Sequence, residues 1–364
     1  GVQPGAGDQL RLYTPPFTAP LDSQPVDIVV LTGLGNTQLK PERSTEFESG
    51  FDADLLDDRF SLGVSGYRKT REDALMQFPL PPSVYGEGAS IVRNIGVVRN
   101  SGAEVALGAQ LVRSAAVTWS AQLNVSRNRN TVVSLAPGVA KLNNTTSAGG
   151  VGSLFRLQAG YPLFGIWARP ILGYADANQN GKLEPGEVQV GDSAVYMGAS
   201  TPDYEAAFTT GVSVFRGAVR VDAGFQYQHG ITQINATDVG RTGAARALND
   251  STTPWSELAG VIALTSDLGT GLTGQAATPY GVIQKVSLLR FNSLSVTYNA
   301  PAALARRFGA GAVALALQGT NLGLFTRYRG KDPNVNAYPN GNNVLDAGEL
   351  PAPRTWQLRV SLQY

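Results

Sequence analysis

Val117-Thr-Trp119-Ser-Ala121-Gln-Leu123-Asn-Val125-Ser126, VTWSAQLNVS, carries an apolar residue at every odd position and a polar one at every even position. A strand sends successive side chains to opposite faces, so this stretch predicts one oily face and one wet face. The same split recurs in Val219–Gln228 and in Trp356–Tyr364, which ends the sequence. Weaker copies run over 47–55, 60–67, 103–111, 204–214, 294–298 and 313–317. Strands that cross a bilayer at a tilt need roughly 9–11 residues, whereas strands of soluble sandwiches average about 5–6. The lengths favour membrane strands.

Composition agrees. The 364 residues include 42 Gly, 43% apolar and only 16% charged residues, an unusually sparse charge for a surface that meets water alone. With no Cys, disulfide frameworks and thiolate chemistry are excluded, and a single His leaves no His-rich metal centre. A formal charge of +1, with no basic run, argues against nucleic acid as a partner. The longest uncharged stretch, Phe308–Thr326, is long enough for a transmembrane helix, but its Gly, Gln318, Thr320 and Asn321 favour a strand running into a turn. The N-terminus lacks the basic start and apolar core of a signal peptide, so the leader has been removed or the chain is part of something longer.

The links between strands also alternate. LLDDR (55–59), VRSAA (112–116) and FRGA (215–218) are tight, whereas 129–160, 230–286 and 324–353 are long and rich in Gly, Asn, Ser, Thr and Pro. Outer-membrane barrels have short periplasmic turns and long extracellular loops, so the tight links are expected on the periplasmic side. With the last strand descending to the periplasm, the strand from residue 44 also descends. An odd number of strands results, as if the chain begins partway around a larger barrel.

Several motifs resemble one family. NTQLKPERSTEFESG (36–50) is similar to the N-x-x-L-K-P-E hallmark of TonB-dependent outer-membrane receptors, and NIGVVRNSGAEVAL (94–107) to their N-x-G-x-x-x-N-x-G-x-E strand entry. RFNSLSVTYNAP (290–301) and LQGTNLGLFTRYRGKDPNVN (317–336) resemble the closing region of the SusC/RagA branch. The resemblance implies an all-β, antiparallel transmembrane barrel of about 22 strands, of which this chain would hold the C-terminal half, about 11–12 strands. It places an extracellular loop and strand entry in 1–43 and the barrel in 44–364, with no plug domain or TonB box in the chain. It further implies uptake of a large nutrient, an oligosaccharide or peptide, without enzymatic activity. Implied partners are outer-membrane lipid, the TonB system through a plug supplied elsewhere, a SusD-like lipoprotein lid, or a second chain completing the barrel. The terminal aromatic Tyr364 resembles the signal read by barrel-assembly machinery.

Other motifs bear on chemistry. Asp176-Ala-Asn178-Gln-Asn180-Gly181-Lys182-Leu183-Glu184-Pro185-Gly186-Glu187 fits the calcium-loop pattern D-x-[DN]-x-[DN]-G-x5-E. Asp176, Asn178, Asn180, the Lys182 carbonyl and Glu187 would supply the oxygens, and Leu183 would anchor the loop to a core. Pro185 and Gly186 fall where an EF-hand's second helix would start, so a turn closed by Asx hydrogen bonds without metal is equally compatible. A second stretch, 340–349, copies the tail of this loop but has Tyr338 in the first position. Whether 176–187 is periplasmic or external depends on whether 162–172 and 188–198 both cross the membrane or neither does.

Gly269-Thr-Gly271-Leu-Thr-Gly274 spells a dinucleotide motif but has no helix after it, which favours a loop. Glu46, Glu48, Asp52 and Asp54 share the wet face of one strand and are expected to face a lumen. His229 ends a strand and has no partner at ligand spacing; the sequon at Asn143 is a chance match in an Asn- and Thr-rich loop. Tyr161, Trp167, Trp255 and Tyr280 are expected to stack on sugars or to lie at the membrane interface. The alternatives to a transport barrel are a split or truncated barrel acting as a structural component of a surface complex, and a soluble calcium-dependent sugar-binding sandwich.

Overall fold

The computed structural model describes residues 3–364 except 16, 22–23, 81, 86–88, 95, 137, 145–154, 164, 236, 238–252, 266–277, 336–344 and 347. Alternation becomes a wall of nine long strands: β1 Arg43–Leu55, β2 Phe60–Glu72, β3 Gly96–Arg113, β4 Val117–Leu135, β5 Tyr204–Val214, β6 Val219–Asn235, β7 Ile283–Asn299, β8 Ala312–Thr326 and β9 Thr355–Gln363. Each pairs antiparallel with the next in an unbroken curved sheet. β1 and β9 each have one long-strand neighbour among the described residues.

Nine is odd, and β1 and β9 run the same way, as the sequence parity requires. The count is nonetheless lower than the expected 11–12, for a physical reason. β4 pairs directly with β5 in register from Val117↔Val214 to Arg127↔Tyr204, so the described residues between them lie at one end of the wall. Residues 162–172 and 188–198 therefore do not cross; they supply the short strands Gly165–Ala168, Ile171–Tyr174, Val188–Val190 and Val195–Ala199.

The long strands also run past the expected loop starts. β4 continues to Leu135 rather than stopping before 129, β6 reaches Asn235 and β7 starts at Ile283. The cause is pairing beyond the alternating region: β6 and β7 stay in register from Ile231↔Val286 to Ile234↔Ile283 after a bulge at His229/Ile231. Segment 73–95 is a further long connection, which pairing with Leu31–Gly33 folds into a four-stranded sheet with Leu12–Tyr13. Phe308–Thr326 is strand from Ala312 onward, and among the described residues no helix is long and apolar enough to cross a membrane.

Register assigns the two faces. Glu48, Asp52, Ser65, Glu104, Asn124 and Glu205 line the concave side. The opposite, convex parity holds Phe47, Leu107, Leu123, Phe208, Leu317 and Leu358. Several convex side chains are open to the surroundings: Trp356 is 54% and Leu358 69% exposed. Transfer of such an apolar belt out of water requires another medium, since each large side chain is worth about 1.5–3 kcal/mol when covered.

Buried clusters lie beyond the wall, at the end with the long connections. One joins helix Trp255–Thr265, through Leu258, Val261 and Ile262, to Leu183 and Val188. Another gathers Phe78, Ile91, Val132 and Leu157.

Candidate functional site

Two openings follow the concave face. One, of about 710 Å³, is lined by Glu48, Asp52, Glu104, Ser126, Glu205 and Gln226. The other, of about 560 Å³ nearer the tight turns, is lined by Arg59, Gln110, Gln122, Thr209, Arg220 and Asp222. Alternation dictates both, because the polar members of VTWSAQLNVS turn inward. Charges here are partly internally paired: Lys69 Nζ lies 2.7 Å from Glu46 Oε2, and Arg220 Nη2 2.7 Å from Asp222 Oδ1. The acidic series Glu46, Glu48, Asp52 and Asp54 thus lines a wet channel wall.

A third cleft, of about 400 Å³, lies where β4 continues past the end of β5; Arg127, Arg129, Tyr161, Tyr196, Asp203 and Tyr204 line it. Tyr161, Trp167 and Tyr196 form an aromatic cluster beside it, with ring centroids 4.7, 5.0 and 5.5 Å apart. The Arg156 guanidinium sits 4.8 Å over the Trp167 ring. Burial pushes the Tyr196 hydroxyl above the ordinary phenol value, helped by the Asp203 carboxylate and opposed by Arg129. Of the four aromatics singled out in the sequence, Tyr161 and Trp167 meet, whereas Trp255 opens the helix at 255–265 and Tyr280 lies in a separate short turn. Tyr196 carries no signal in the sequence, because 195–199 shows no clear alternation.

The motif residues explain their spacing by docking. Asn94 receives the Lys40 amide at 2.9 Å and donates to the Lys40 and Asp73 carbonyls at 2.8 and 2.7 Å. Glu42 accepts the Leu75 amide at 2.9 Å. Gly96 has φ 122°, and a Cβ there would stand 2.2 Å from the Ser134 carbonyl oxygen. Farther along, Arg290 of RFNSLS reaches Asp332 of the Y-x-G-x-D-P loop at 2.6 Å, both side chains nearly buried. Tyr328 donates to Asp346 Oδ2 at 2.8 Å. The two closing motifs are therefore halves of one polar core.

In the 176–187 loop, Asp176 accepts the Asn180 and Gly181 amides at 3.0 and 2.7 Å, and Asn180 Oδ1 the Lys182 amide at 2.8 Å. Glu187 accepts the Ala177 and Glu184 amides at 2.8 and 2.9 Å. The Glu184 carboxylate ties the Asn178 and Asn180 side-chain amides together. Leu183 is 2% exposed in the cluster with Val188 and Ile262. Among the described residues no three His, Cys, Asp or Glu side chains gather as metal ligands. His229 lies at the rim, its Nδ1 2.7 Å from Ser287 Oγ. The Gly269–Gly274 motif and most of 340–349 lie outside the described residues, as does Thr145 of the sequon.

A curved antiparallel sheet, wet inside and oily outside, with tight turns at one end and long connections at the other, is the wall of an outer-membrane β-barrel. The chain belongs to the TonB dependent receptor-like, beta-barrel family, whose model matches residues 12–242. It is 28% identical over 379 aligned residues to TonB-dependent receptor P3 of Formosa agariphila, covering 95% of this chain and 36% of that protein. To TonB-dependent receptor P39 of the same organism it is 34% identical over 133 residues, covering 36% of this chain and 12% of the relative. The chain thus spans little more than a third of the first relative's length.

In fold it resembles the RagAB peptide transporter, with a TM-score of 0.73 at 20% identity, over 98% of this chain and 38% of that one. The open-open state of the RagAB peptide importer gives 0.72 at 21%, over 99% and 38%. It is an outer-membrane protein of a Gram-negative-type bacterium, of a transporter and receptor family rather than an enzyme class.

Proposed function

We propose that the chain forms one side of an energised import barrel, and that a large nutrient passes along its concave face. The observation that carries this is the pair of openings of about 710 and 560 Å³ on the concave face, whose polar lining is hydroxyl, amide and carboxylate side chains together with Arg59 and Arg220. Such groups hydrogen-bond a hydrated oligosaccharide or peptide weakly and repeatedly, which suits passage better than capture. The long connections, expected to be extracellular, carry the aromatic cluster where selection would occur. A TonB-linked plug and a lipoprotein lid are the partners this reading calls for, and the RagAB likeness in fold supports a peptide as readily as a glycan. No step in it needs a catalytic group.

The test is uptake of labelled oligosaccharide and peptide pools by cells carrying or lacking the full-length receptor. TonB-dependent uptake lost on deletion and regained on complementation is expected. Unchanged uptake, with a surface complex that falls apart instead, would favour the structural alternative.

Two smaller proposals accompany it. Tyr364 acts as the terminal assembly signal, so Tyr364→Ala lowers the yield of heat-modifiable barrel. Calcium is a ligand of the 176–187 loop through Asp176, Asn178, Asn180, the Lys182 carbonyl and Glu187. Its support is the spacing and the shared amide donors that bring Asp176, Asn178 and Glu187 into one turn, and a chelator that leaves exchange of the 177–182 amides unchanged would remove it.

A further inference from the structure

Where β4 runs on past β5, the wall has a gap. Pairing between the two ends at Arg127↔Tyr204, and the cleft of about 400 Å³ opens there on five consecutive residues, Arg127 to Thr131. A sheet face shows every second residue, so an unbroken run marks the edge of a strand. The cleft is framed. Above it, Val132 donates its amide to the Tyr161 carbonyl at 2.9 Å and accepts the Gly160 amide at 2.8 Å, and the Asn130 side chain accepts the Leu163 amide at 2.8 Å. Tyr196, Thr201 and Asp203 line it too.

The backbone of β4 is open to this cleft. Alternate residues of a strand send N–H and C=O to the same side, so Asn128 and Asn130 turn theirs as Val132 does, toward the gap. Arg127 shows the opposite sense: its carbonyl oxygen lies against Gly102 of β3, 2.5 Å from where a Cβ would stand. Continued pairing would bring the Asp203 amide to Asn128, but that amide goes to the His229 carbonyl at 2.8 Å, beside the bulge in β6. Among the described residues no backbone group meets the backbone of Asn128 or Asn130 from the gap. Two donors and two acceptors are left in a row, which is what an added strand needs.

Side chains set which strand fits. Arg127 and Arg129 leave β4 on one face, exposed, about 7 Å apart at the backbone. Arg127 lies 5.1 Å over the Tyr204 ring, and neither arginine makes an ion pair among the described residues. Residues two apart on an added strand share that spacing and come opposite the two arginines. Carboxylates there would meet both guanidiniums, while the residue between them points to the other face, with Asn128. Neighbouring carboxylates are engaged elsewhere: Asp203 Oδ2 lies 2.5 Å from where a Cβ on Gly230 would stand, and Glu205, of inward parity, accepts the Gln228 side-chain amide at 2.6 Å. A glycan has no regular row of N–H and C=O groups to match the edge; a peptide has.

We propose that the β4 edge at 128–130 binds an extended acidic peptide as an added strand, with carboxylates at alternate positions paired to Arg127 and Arg129. This rests on the import reading above and narrows its cargo to peptides of that pattern.

The test uses full-length receptor in detergent and the fluorescence anisotropy of labelled probes: a hexapeptide of alternating Glu and Ser, its Gln and Ser analogue, the Glu peptide N-methylated at its Ser or at its Glu residues, and an oligogalacturonate. The Glu peptide is expected to bind at least about 10-fold more tightly than the Gln analogue. Methylation at Ser, whose amides would face Asn128 and Asn130, should weaken binding about 10-fold more than methylation at Glu. R127Q/R129Q should bring the Glu peptide to the affinity of the Gln analogue, while R306Q/R307Q, which removes equal charge at the tight-turn end, should leave it within about 2-fold. Should R127Q/R129Q fail to assemble, R129Q alone should still weaken binding by about 3-fold. Equal binding of the Glu and Gln peptides, equal loss from the two methylation patterns, equal loss in the two double variants, or tighter binding of the oligogalacturonate would each overturn the proposal. Binding is read without uptake, so a receptor that imports peptides without this discrimination defeats the site alone, and one that discriminates but imports nothing defeats the import reading alone.

Discussion

At the residue scale, the Arg290–Asp332 pair does the most to fix the long-connection end, because it is nearly dry and joins β7 to the loop after β8. Removing one member strands the other charge. Arg290→Met should therefore cost about 3–5 kcal/mol, read as faster protease cleavage within 327–335, while Arg290→Met with Asp332→Leu should recover much of the loss. Gly96 offers a backbone counterpart. With φ 122° and the Ser134 carbonyl 2.2 Å from any added Cβ, Gly96→Ala should sharply lower the yield of assembled barrel in a heat-modifiability gel. Both residues stood inside quoted motifs, yet the sequence could not say that Arg290 and Asp332 touch, since 42 residues separate them. Arg127 and Arg129 were harder still: each sits where the alternation of β4 should place an apolar residue, and only register with Arg68 and Tyr204 shows that the lapse marks a boundary.

At the element scale, helix Trp255–Thr265 covers the strand pair Ile171–Tyr174 and Val188–Val190. Ile262 is fully buried against it. Ile262→Ala should cost about 2–5 kcal/mol locally, seen as lost hydrogen-exchange protection over 255–265 and 183–190 with β1–β9 unchanged. The helix was invisible in the sequence reading because it lies in the 230–286 stretch, where Gly, Ser and Thr dominate composition. Strand existence was readable, since alternation is fixed by the two media on either side of the wall. Strand ends were not, because beyond the apolar belt β4, β6 and β7 are held by pairing and by burial on both faces, as at Thr232, Gln233 and Asn235, which erases the period of two.

For the whole molecule, the two faces make opposite demands on the same strand. Leu123 and Gln122 are chain neighbours in β4, one convex and one concave. Leu123→Arg should cost about 2–4 kcal/mol in the bilayer and block assembly, whereas Gln122→Arg should assemble normally and alter only passage. Equal behaviour of the two variants would contradict the sidedness of the wall.

The overshoot of the long strands also sets what the long-connection end presents to its surroundings. β4 has 19 residues, and strands rise about 3.3 Å per residue, so even with a tilt near 40° it climbs well past an apolar band about 25 Å tall. The surplus, packed through Val132 against Phe78, Ile91 and Leu157, stands as a collar above the apolar band. With the long connections external, as proposed above, that collar is the surface an antibody or a bacteriophage tail would meet first, and the described part of it has a hydrophobic interior of its own.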